Sequence, residues 1–294
     1  MDKIKEYIKE KRPSLGTSSI LTYASILKNL YHRVFGKDDV NFKKFNETEP
    51  ILHFLKDMAC NKRKTILSAL VVITDNNDFK KLMAEDVQHY NMDIKKQEKS
   101  PEQKENWVSS NDIEEIYNDL KKNAELLYKK KTLSSSDFQQ IQNYIIISIL
   151  SGIFIPPRRL KDYTEFIIKD IDKNKDNYMD KNKLYFNSYK TSKTYGEQVV
   201  EIPKTLQTIL NKWIKINPTK YLLFDTNNNK LSSVKLNQRI NKIFDGKHVS
   251  VNNFRHTYLT DKYKNYSFQE KKLDDDMTAM GSSKGMASTY IKLD

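Results

Sequence analysis

The sequence of 294 residues contains a single cysteine, Cys60, and only seven glycines and seven prolines. One cysteine excludes a disulfide within the chain and any zinc site that needs several cysteines, and it indicates a reducing, intracellular setting. No apolar run reaches the roughly 18 to 20 residues that cross a bilayer. The first residues, Met1-Asp-Lys-Ile-Lys-Glu, lack the apolar stretch of a secretory signal. We therefore expect neither a membrane protein nor a disulfide-stabilised secreted domain.

Acidic residues are outnumbered by basic ones. Lysine and arginine number 51 against 38 acidic residues, which gives a net charge of +13 and an isoelectric point near 9.4. Such an excess favours a polyanionic partner, because each phosphate that a protein neutralises releases condensed counterions. The alternative is a lysine-rich chain whose basic side chains are simply solvated. The charge indicates a nucleic-acid partner and leaves the chemistry open.

Residues 1 to 92 have the periodicity of a helical domain. Apolar residues recur at spacings of three and four between Ile20 and Val34, and a third apolar stretch runs from Ile66 to Ile73. A basic triplet precedes that stretch: Lys62, Arg63 and Lys64. Positive charge at a helix start opposes the helix dipole unless an anion offsets it. We predict that the triplet contacts a DNA backbone, with a solvated face as the alternative.

Residues 93 to 106 contain one apolar residue in fourteen, which is typical of an interdomain linker. We predict a second domain over residues 107 to 294. Ser109 and Ser110 offer N-caps for its first helix. A helix around Gln140 to Leu150 is apolar nearly all round and should be buried.

The period of the pattern changes after the buried helix. Three segments, at residues 166–171, 183–189 and 198–202, are typical of strands, with turns at 174–180 and 191–196. Helical patterns return from Pro203 onward. The sequence therefore predicts a mostly α fold with a small antiparallel β-sheet, an α+β arrangement in two domains.

Four segments of the second domain carry residues that suit phosphate chemistry. In Ile155-Pro-Pro-Arg-Arg-Leu-Lys-Asp-Tyr163, an arginine follows the buried helix and precedes an acidic residue by three positions. Arg159 with Asp162 has this spacing, and Arg158 is the alternative. The predicted turn at the tip of the hairpin holds two lysines, Lys190 and Lys193.

The other two segments lie in the C-terminal helical part. Val251-Asn-Asn-Phe-Arg-His-Thr-Tyr258 contains Arg255 and His256 next to each other. Met280-Gly-Ser-Ser-Lys-Gly-Met-Ala-Ser-Thr-Tyr290 ends on a tyrosine that follows a Met-Gly pair by nine residues. Each residue alone is common, since Tyr290 is one of 17 tyrosines. Their order along the chain is what indicates a shared site.

In this order, the four segments resemble the signature of the tyrosine recombinases, the integrase family, in its phage-integrase-like, viral or mobile-element form. The resemblance covers about residue 107 to the C-terminus. The helical first domain is similar to the family's core-binding domain, although it has no specific motif. The family resemblance implies a helical DNA-binding domain followed by a catalytic domain.

The resemblance also implies a site-specific recombinase that cleaves and rejoins DNA through a 3′-phosphotyrosine intermediate. Arg159 and Arg255 would each fork onto non-bridging phosphate oxygens, and Lys190 would protonate the leaving 5′-oxygen. Tyr290 has a free pKa of about 10, so it needs a cationic pocket to act as the nucleophile. His256 would pack or hydrogen-bond to orient its neighbours. No metal, cofactor or ATP is implied, because the phosphotyrosine bond conserves the energy of the phosphodiester.

Two positions depart from the family pattern. Asn252 stands where a histidine is expected, and Ser282 stands where a second histidine or a tryptophan is expected. These departures keep open a DNA-binding protein on the same scaffold that has lost catalysis. A type IB topoisomerase, which uses the same residues as a monomer, is another alternative. A basic helical scaffold without a DNA role is a third.

The partner implied by the resemblance is double-stranded DNA, with four protomers acting on two duplexes. The two domains would form a clamp around the duplex, with residues 93 to 106 as the hinge. Family members share a C-terminal helix between neighbouring protomers. Only Ile291-Lys-Leu-Asp294 follow Tyr290, so we expect that this element is missing, truncated or supplied differently.

Overall fold

A computed structural model describes residues 1–37 and 39–280 of the chain. Most of these residues lie in α-helices, and three short strands form one antiparallel sheet. The chain divides into two compact units between Lys99 and Ser100. The predicted fold class, mostly α with a small antiparallel sheet in two domains, is confirmed. No helix in the described part of the chain is long and apolar enough to cross a membrane.

The first unit is helical throughout its described residues. Its elements are α1 (Asp2–Lys11), α2 (Thr17–Val34), a 3₁₀ turn (Phe42–Asn46), α3 (Thr48–Leu55), α4 (Cys60–Thr74) and α5 (Asn77–Lys95). Asn76 starts α5 as its N-cap, because its side-chain oxygen accepts hydrogen bonds from the backbone N–H groups of Asp78 and Phe79. The core of the unit is formed by fully buried apolar side chains from different elements, among them Ile8, Leu27, Phe45, Leu70 and Phe79.

The charged segment from 93 to 106 contains the end of α5 and a short helix, α6 (Pro101–Glu105). Ser100 and Gln103 start α6 with a capping box, in which each side chain accepts a hydrogen bond from the other residue's backbone N–H. The division between the two units falls inside this segment.

The second unit packs its helices around a buried central helix. Its described helices are α7 (Ser110–Leu127), α8 (Ser135–Leu150), α9 (Leu160–Thr164), α10 (Ser192–Tyr195), α11 (Lys204–Ile216), α12 (Ser233–Ile243) and α13 (Val251–Ala279). The predicted cap at Ser109 is confirmed, as its side chain accepts a hydrogen bond from Asp112 N. Helix α8 begins five residues before the predicted start at Gln140, because Ser134 and Asp137 form another capping box. All residues from Tyr144 to Leu150 are buried, so the predicted buried helix is confirmed.

The sheet has the order β1 (Tyr178–Asp180), β2 (Lys183–Phe186), β3 (Gln198–Glu201) and is antiparallel. The strand predicted at 166–171 is wrong. Phe166 and Ile167 form only isolated bridges, to Asn177 and Tyr221. The apolar side chain of Phe166 is buried in the core and does not belong to a strand. The first strand lies instead at 178–180, within a segment predicted to be mostly turn. The predicted turn at 191–196 contains the single helical turn α10.

Candidate active site

The loop between α8 and α9 packs directly against α13. Gly152 has φ +97°, a conformation that L side chains rarely adopt. A Cβ atom at this position would lie 3.0 Å from Tyr258 Cδ2 and 3.3 Å from Pro157 Cγ. Tyr258 follows Arg255 by three residues on α13, so the two share one side of that helix. The close approach at Gly152 therefore brings the arginine-bearing loop and the arginine-bearing helix together.

Arg158 is bound into the fold through two nitrogens and the face of its guanidinium group. Its Nε donates to Asp162 Oδ2 at 2.9 Å, and its Nη1 donates to Gln198 Oε1 at 2.9 Å. The guanidinium carbon lies 4.0 Å from the centre of the Phe186 ring. Only 16% of the side chain is exposed. Arg158 therefore joins α9 to strands β2 and β3, and its contacts are those of a positioning residue.

Asp162 is the carboxylate around which the candidate arginines group. The residue is 1% exposed, and burial raises the pKa of its carboxyl group, while the positive charges of Arg158, Arg159 and Arg255 act in the opposite direction. Its second oxygen, Oδ1, is buried and has no hydrogen-bond partner among the described residues. Arg159 and Arg255, predicted from separate motifs, thus act electrostatically on the same buried group.

Arg159 and Arg255 are both half-buried and differ from Arg158 in their contacts. Arg159 occupies the N-cap position of α9 in an extended conformation, and Arg255 lies in the second turn of α13. Neither side chain hydrogen-bonds to another residue in the described ranges, whereas Arg158 does so twice. A guanidinium group whose N–H donors are not taken up by protein acceptors can fork onto an oxyanion such as a phosphate.

The predicted lysines lie in a closed loop beside this cluster. The Tyr189 hydroxyl donates to the Gly196 carbonyl oxygen at 2.7 Å, which closes the connection between β2 and β3. The Tyr189 ring is buried, with its centre 5.4 Å from the Arg158 guanidinium carbon. Lys190 and Lys193 are exposed within this loop. Lys190 directly follows the tyrosine that packs near Arg158, and its role as an acid stays a prediction.

The start of α13 is held by residues that the motifs did not single out. Thr257 Oγ1 donates to the Val108 carbonyl at 2.6 Å, and Asn253 Nδ2 donates to the Asn106 carbonyl at 3.0 Å. The Asn106 side chain accepts in turn from His248 N at 2.9 Å. Asn106 is the last residue of the segment that is predicted from its composition to be a linker. The role of Asn106 in anchoring α13 was therefore not predicted. These bonds determine where α13 presents Arg255.

His256 and Asn252 are both exposed on α13. His256, expected to pack or hydrogen-bond, is exposed on α13, and Thr257 next to it is buried and makes the anchoring bond instead. Asn252 is also exposed on this helix. Ser282 and Tyr290 lie outside the described residues.

Arg63, the central residue of the basic triplet in α4, is engaged within the first unit. Arg63 Nε and Nη2 bind the carboxylate of Asp86 at 2.9 and 2.6 Å, and Nη1 donates to the Lys56 carbonyl at 3.1 Å. The Arg63 guanidinium holds the pKa of Asp86 below its usual range. The anion beside this helix start is thus a buried side chain of the same unit, and contact of Arg63 with DNA stays a prediction. Lys62 is exposed, and Lys64 lies over the Tyr90 ring.

The comparisons with known proteins give structurally similar chains at low sequence identity. The chain is similar to a lambda integrase structure bound to DNA, with 15% identity and a TM-score of 0.49 over 92% of this chain and 86% of that chain. It is similar to XerA recombinase at 13% identity and a TM-score of 0.34 over 90% and 84% of the two chains. A lambda integrase tetramer bound to a Holliday junction gives 13% identity and 0.48, over 90% and 74%. No protein-family model and no curated protein matches the chain.

Proposed function

We propose that the chain cleaves and rejoins double-stranded DNA through a covalent bond to Tyr290, as a tyrosine recombinase does. One arrangement carries this proposal: Arg158 pairs with the buried Asp162 and is followed by Arg159, and the loop that bears both arginines packs through Gly152 against α13, which bears Arg255. Three cations at one carboxylate leave a net positive site, which suits a phosphodiester and the charge that develops on it during transfer. The net charge of +13 supports DNA as the partner.

The proposed reaction is a transfer between two esters. The phenolic oxygen of Tyr290 attacks the phosphorus, and the bond from phosphorus to the 5′-oxygen breaks. Water takes the phenolic proton, and Lys190 gives a proton to the departing 5′-oxygen. Attack of a 5′-hydroxyl on the phosphotyrosine reverses these steps and restores the phosphodiester. One phosphate ester replaces another in each direction, so the reaction needs no ATP.

The arginines divide between two tasks in this proposal. Arg158 positions Asp162 and the sheet, because its donors are engaged with Asp162 and Gln198. Arg159 and Arg255 bind the non-bridging oxygens, because their donors face no described acceptor. The position that matched the family spacing, Arg159, and not its alternative, Arg158, is therefore the proposed phosphate ligand.

We also propose roles for the two units of the chain and for its assembly on DNA. The helical unit at residues 1–92 is proposed to bind the duplex as a core-binding domain, with Lys62 as a backbone contact. The catalytic domain is proposed to follow the segment 93–106. Four copies of the chain, one at each strand, would exchange strands between two duplexes, as in the integrase of a virus or mobile element.

The test uses nicked duplexes, cut from the DNA that flanks the chain's own gene, in a buffer containing EDTA. A nick beside the cleavage site lets a short fragment leave and traps the covalent state. Native protein and Tyr263→Phe, which changes an exposed tyrosine of α13, are expected to form a protein–DNA adduct that survives denaturation. Tyr290→Phe is expected to bind the duplex and form none. An adduct that persists in Tyr290→Phe would overturn the proposal.

A second candidate is a DNA-binding protein without cleavage. Asn252 favours it, because an amide on the exposed face of α13 cannot exchange protons as the expected imidazole would. Salt-dependent duplex binding with no adduct from the native protein would select this candidate. Relaxation of supercoiled DNA by the monomer would instead select a type IB topoisomerase.

A further inference from the structure

Arg239 of α12 is held by neutral groups. Its Nε donates to Asn143 Oδ1 at 2.6 Å and its Nη1 donates to Gln139 Oε1 at 2.6 Å, while Nη2 donates to the Gln139 carbonyl oxygen. All three acceptors belong to α8. An arginine has five N–H donors, so one donor remains on each of the two terminal nitrogens.

No carboxylate pairs with Arg239 among the described residues, where the ion pairs of arginine are Arg63 with Asp86 and Arg158 with Asp162. Burial lowers the pKa of Arg239 to about 10. Arg239 is half-buried, and a cation that loses water on burial is ordinarily paired with an anion, because that loss is otherwise uncompensated. Arg239 has the charge and the remaining donors to bind an anion from outside the chain.

The cleft that contains Arg239 is large enough for an organic molecule. It lies between α8 and α12 and has a volume of about 880 Å³, within the range of ligand sites. Leu120, Leu231 and Ile243 contribute an apolar wall, and Lys242 adds an exposed cation at the end of α12. The polar wall includes two buried atoms that have no hydrogen-bond partner among the described residues, Gln139 Nε2 and Asn241 Oδ1.

The carboxylate in the cleft does not counter this charge. Asp225 also lines the cleft, but its Oδ2 accepts from Lys235 Nζ at 2.8 Å and its Oδ1 accepts from the backbone N–H groups of Asn227 and Asn229. The charges of Asp225 and Lys235 offset each other. The net charge of the cleft is therefore that of Arg239 and Lys242, which is positive.

We propose that this cleft binds an organic molecule through an oxyanion group, a carboxylate or a phosphate, that takes the two remaining donors of Arg239. A planar guanidinium fork matches either group, and the apolar wall receives the rest of the molecule. The proposal does not depend on DNA cleavage, since no residue of the Asp162 cluster lines the cleft.

The test follows the Nε–Hε resonance of Arg239 in the full-length protein by nuclear magnetic resonance. The resonance is assigned as the one that Arg239→Lys removes. Phenyl phosphate, benzoate and inorganic phosphate are titrated separately, with sodium chloride holding the ionic strength constant. A saturating shift with phenyl phosphate or benzoate is expected. Whichever of the two binds more tightly identifies the preferred oxyanion group, phosphate or carboxylate. Weaker binding of inorganic phosphate than of phenyl phosphate is expected from the apolar wall.

Two variants connect binding to the cleft, with calorimetry on phenyl phosphate or benzoate as the readout. Arg239→Lys keeps the charge but loses the fork, and is expected to weaken binding about tenfold or more. Lys242→Gln, an exposed change that keeps the bonds between α8 and α12, is expected to weaken it less. Lys215→Gln on α11 makes the same charge change outside the cleft and should leave binding unchanged. Absence of a saturating shift with every probe would overturn the proposal, as would equal weakening by Lys242→Gln and Lys215→Gln.

Discussion

Arg158 and Asp162 form an ion pair one helical turn apart, with Nε 2.9 Å from Oδ2 and only 2% of the Asp162 side chain exposed. Arg159, whose spacing to Asp162 matches the family motif, shares the electrostatic environment of that carboxylate but does not bond to it. The two adjacent arginines therefore have separate tasks. Arg158 stabilises the fold of the site, and Arg159 is available to a ligand.

These separate tasks predict opposite effects of the two alanine variants on unfolding free energy and on adduct formation. Arg158→Ala leaves Asp162 buried without its partner, which is expected to cost about 3 to 5 kcal/mol of unfolding free energy. Arg159→Ala removes no bond among the described residues and should cost less than about 1 kcal/mol, while adduct formation slows by roughly 10² to 10³. Both tryptophans, Trp107 and Trp213, lie in the second unit, so urea unfolding followed by tryptophan fluorescence measures this unit. Equal destabilisation by the two variants would contradict the division.

The contact between Gly152 and Tyr258 is tested by adding one methyl group. Gly152→Ala is expected to destabilise the second unit through strain at φ +97° and through the 3.0 Å contact with Tyr258, at about 1 to 3 kcal/mol for the strain alone. Gly246→Ala is the control, because Gly246 has φ +81° and no atom within 4 Å of its added Cβ. Tryptophan fluorescence in urea should show a larger loss for Gly152→Ala than for Gly246→Ala. Equal losses would mean that the contact with α13 adds nothing to the backbone strain.

The Arg63–Asp86 pair should stabilise the first unit far more than an exposed pair does. Asp86 is fully buried and receives two bonds from Arg63, so Asp86→Ala is expected to cost about 3 to 5 kcal/mol. The matched control is Asp93→Ala, which removes the partner of Lys96 from a side chain that is 71% exposed and should cost less than about 1 kcal/mol. Hydrogen exchange of peptides from α4 and α5 measures both. Unchanged protection in Asp86→Ala would contradict a stabilising role for the pair.

Asp137 predicts a pH dependence at the start of α8. The Lys130 ammonium and the Ser134 backbone and hydroxyl groups lower the pKa of this carboxyl to about 2, from an ordinary value of 3.8. A lowered folded-state pKa stabilises the protein above the unfolded-state pKa, and this contribution disappears as pH falls from about 4 towards 2. The difference in urea midpoint between native protein and Asp137→Asn should be constant above about pH 5 and shrink below about pH 4. Asp119→Asn on α7, where the side chain is 80% exposed, should show no such change.

The sequence predicted the elements whose signals are local. Ser109 lies one position before a helix, three residues ahead of Asp112, and the apolar run from Tyr144 to Leu150 identifies a buried helix. The prediction of a strand at 166–171 was wrong because residues buried in a core are apolar whether or not they belong to a sheet. Asn177 hydrogen-bonds to the carbonyls of residues 162 and 188, so the sheet begins only after it.

The arrangement of the site was predictable only in part. The motifs predict Arg159 and Arg255 as phosphate ligands, which stays a prediction. The assignment of tasks between Arg158 and Arg159 depends on which guanidinium group reaches Gln198, forty residues further along the chain. Likewise, the partner of Arg63 lies 23 residues away on another helix. Such pairs depend on how helices pack, and no local sequence signal reports them.

We propose that one tyrosine, Tyr290, forms the covalent bond to DNA. The most direct measurement digests the adduct with protease and nuclease and identifies by mass spectrometry the tyrosine that carries the nucleotide. The chain has 17 tyrosines, so the result discriminates sharply. We expect a phosphodiester-linked nucleotide on Tyr290 alone. A nucleotide on any other residue, or none from native protein that binds the nicked duplex, would contradict it.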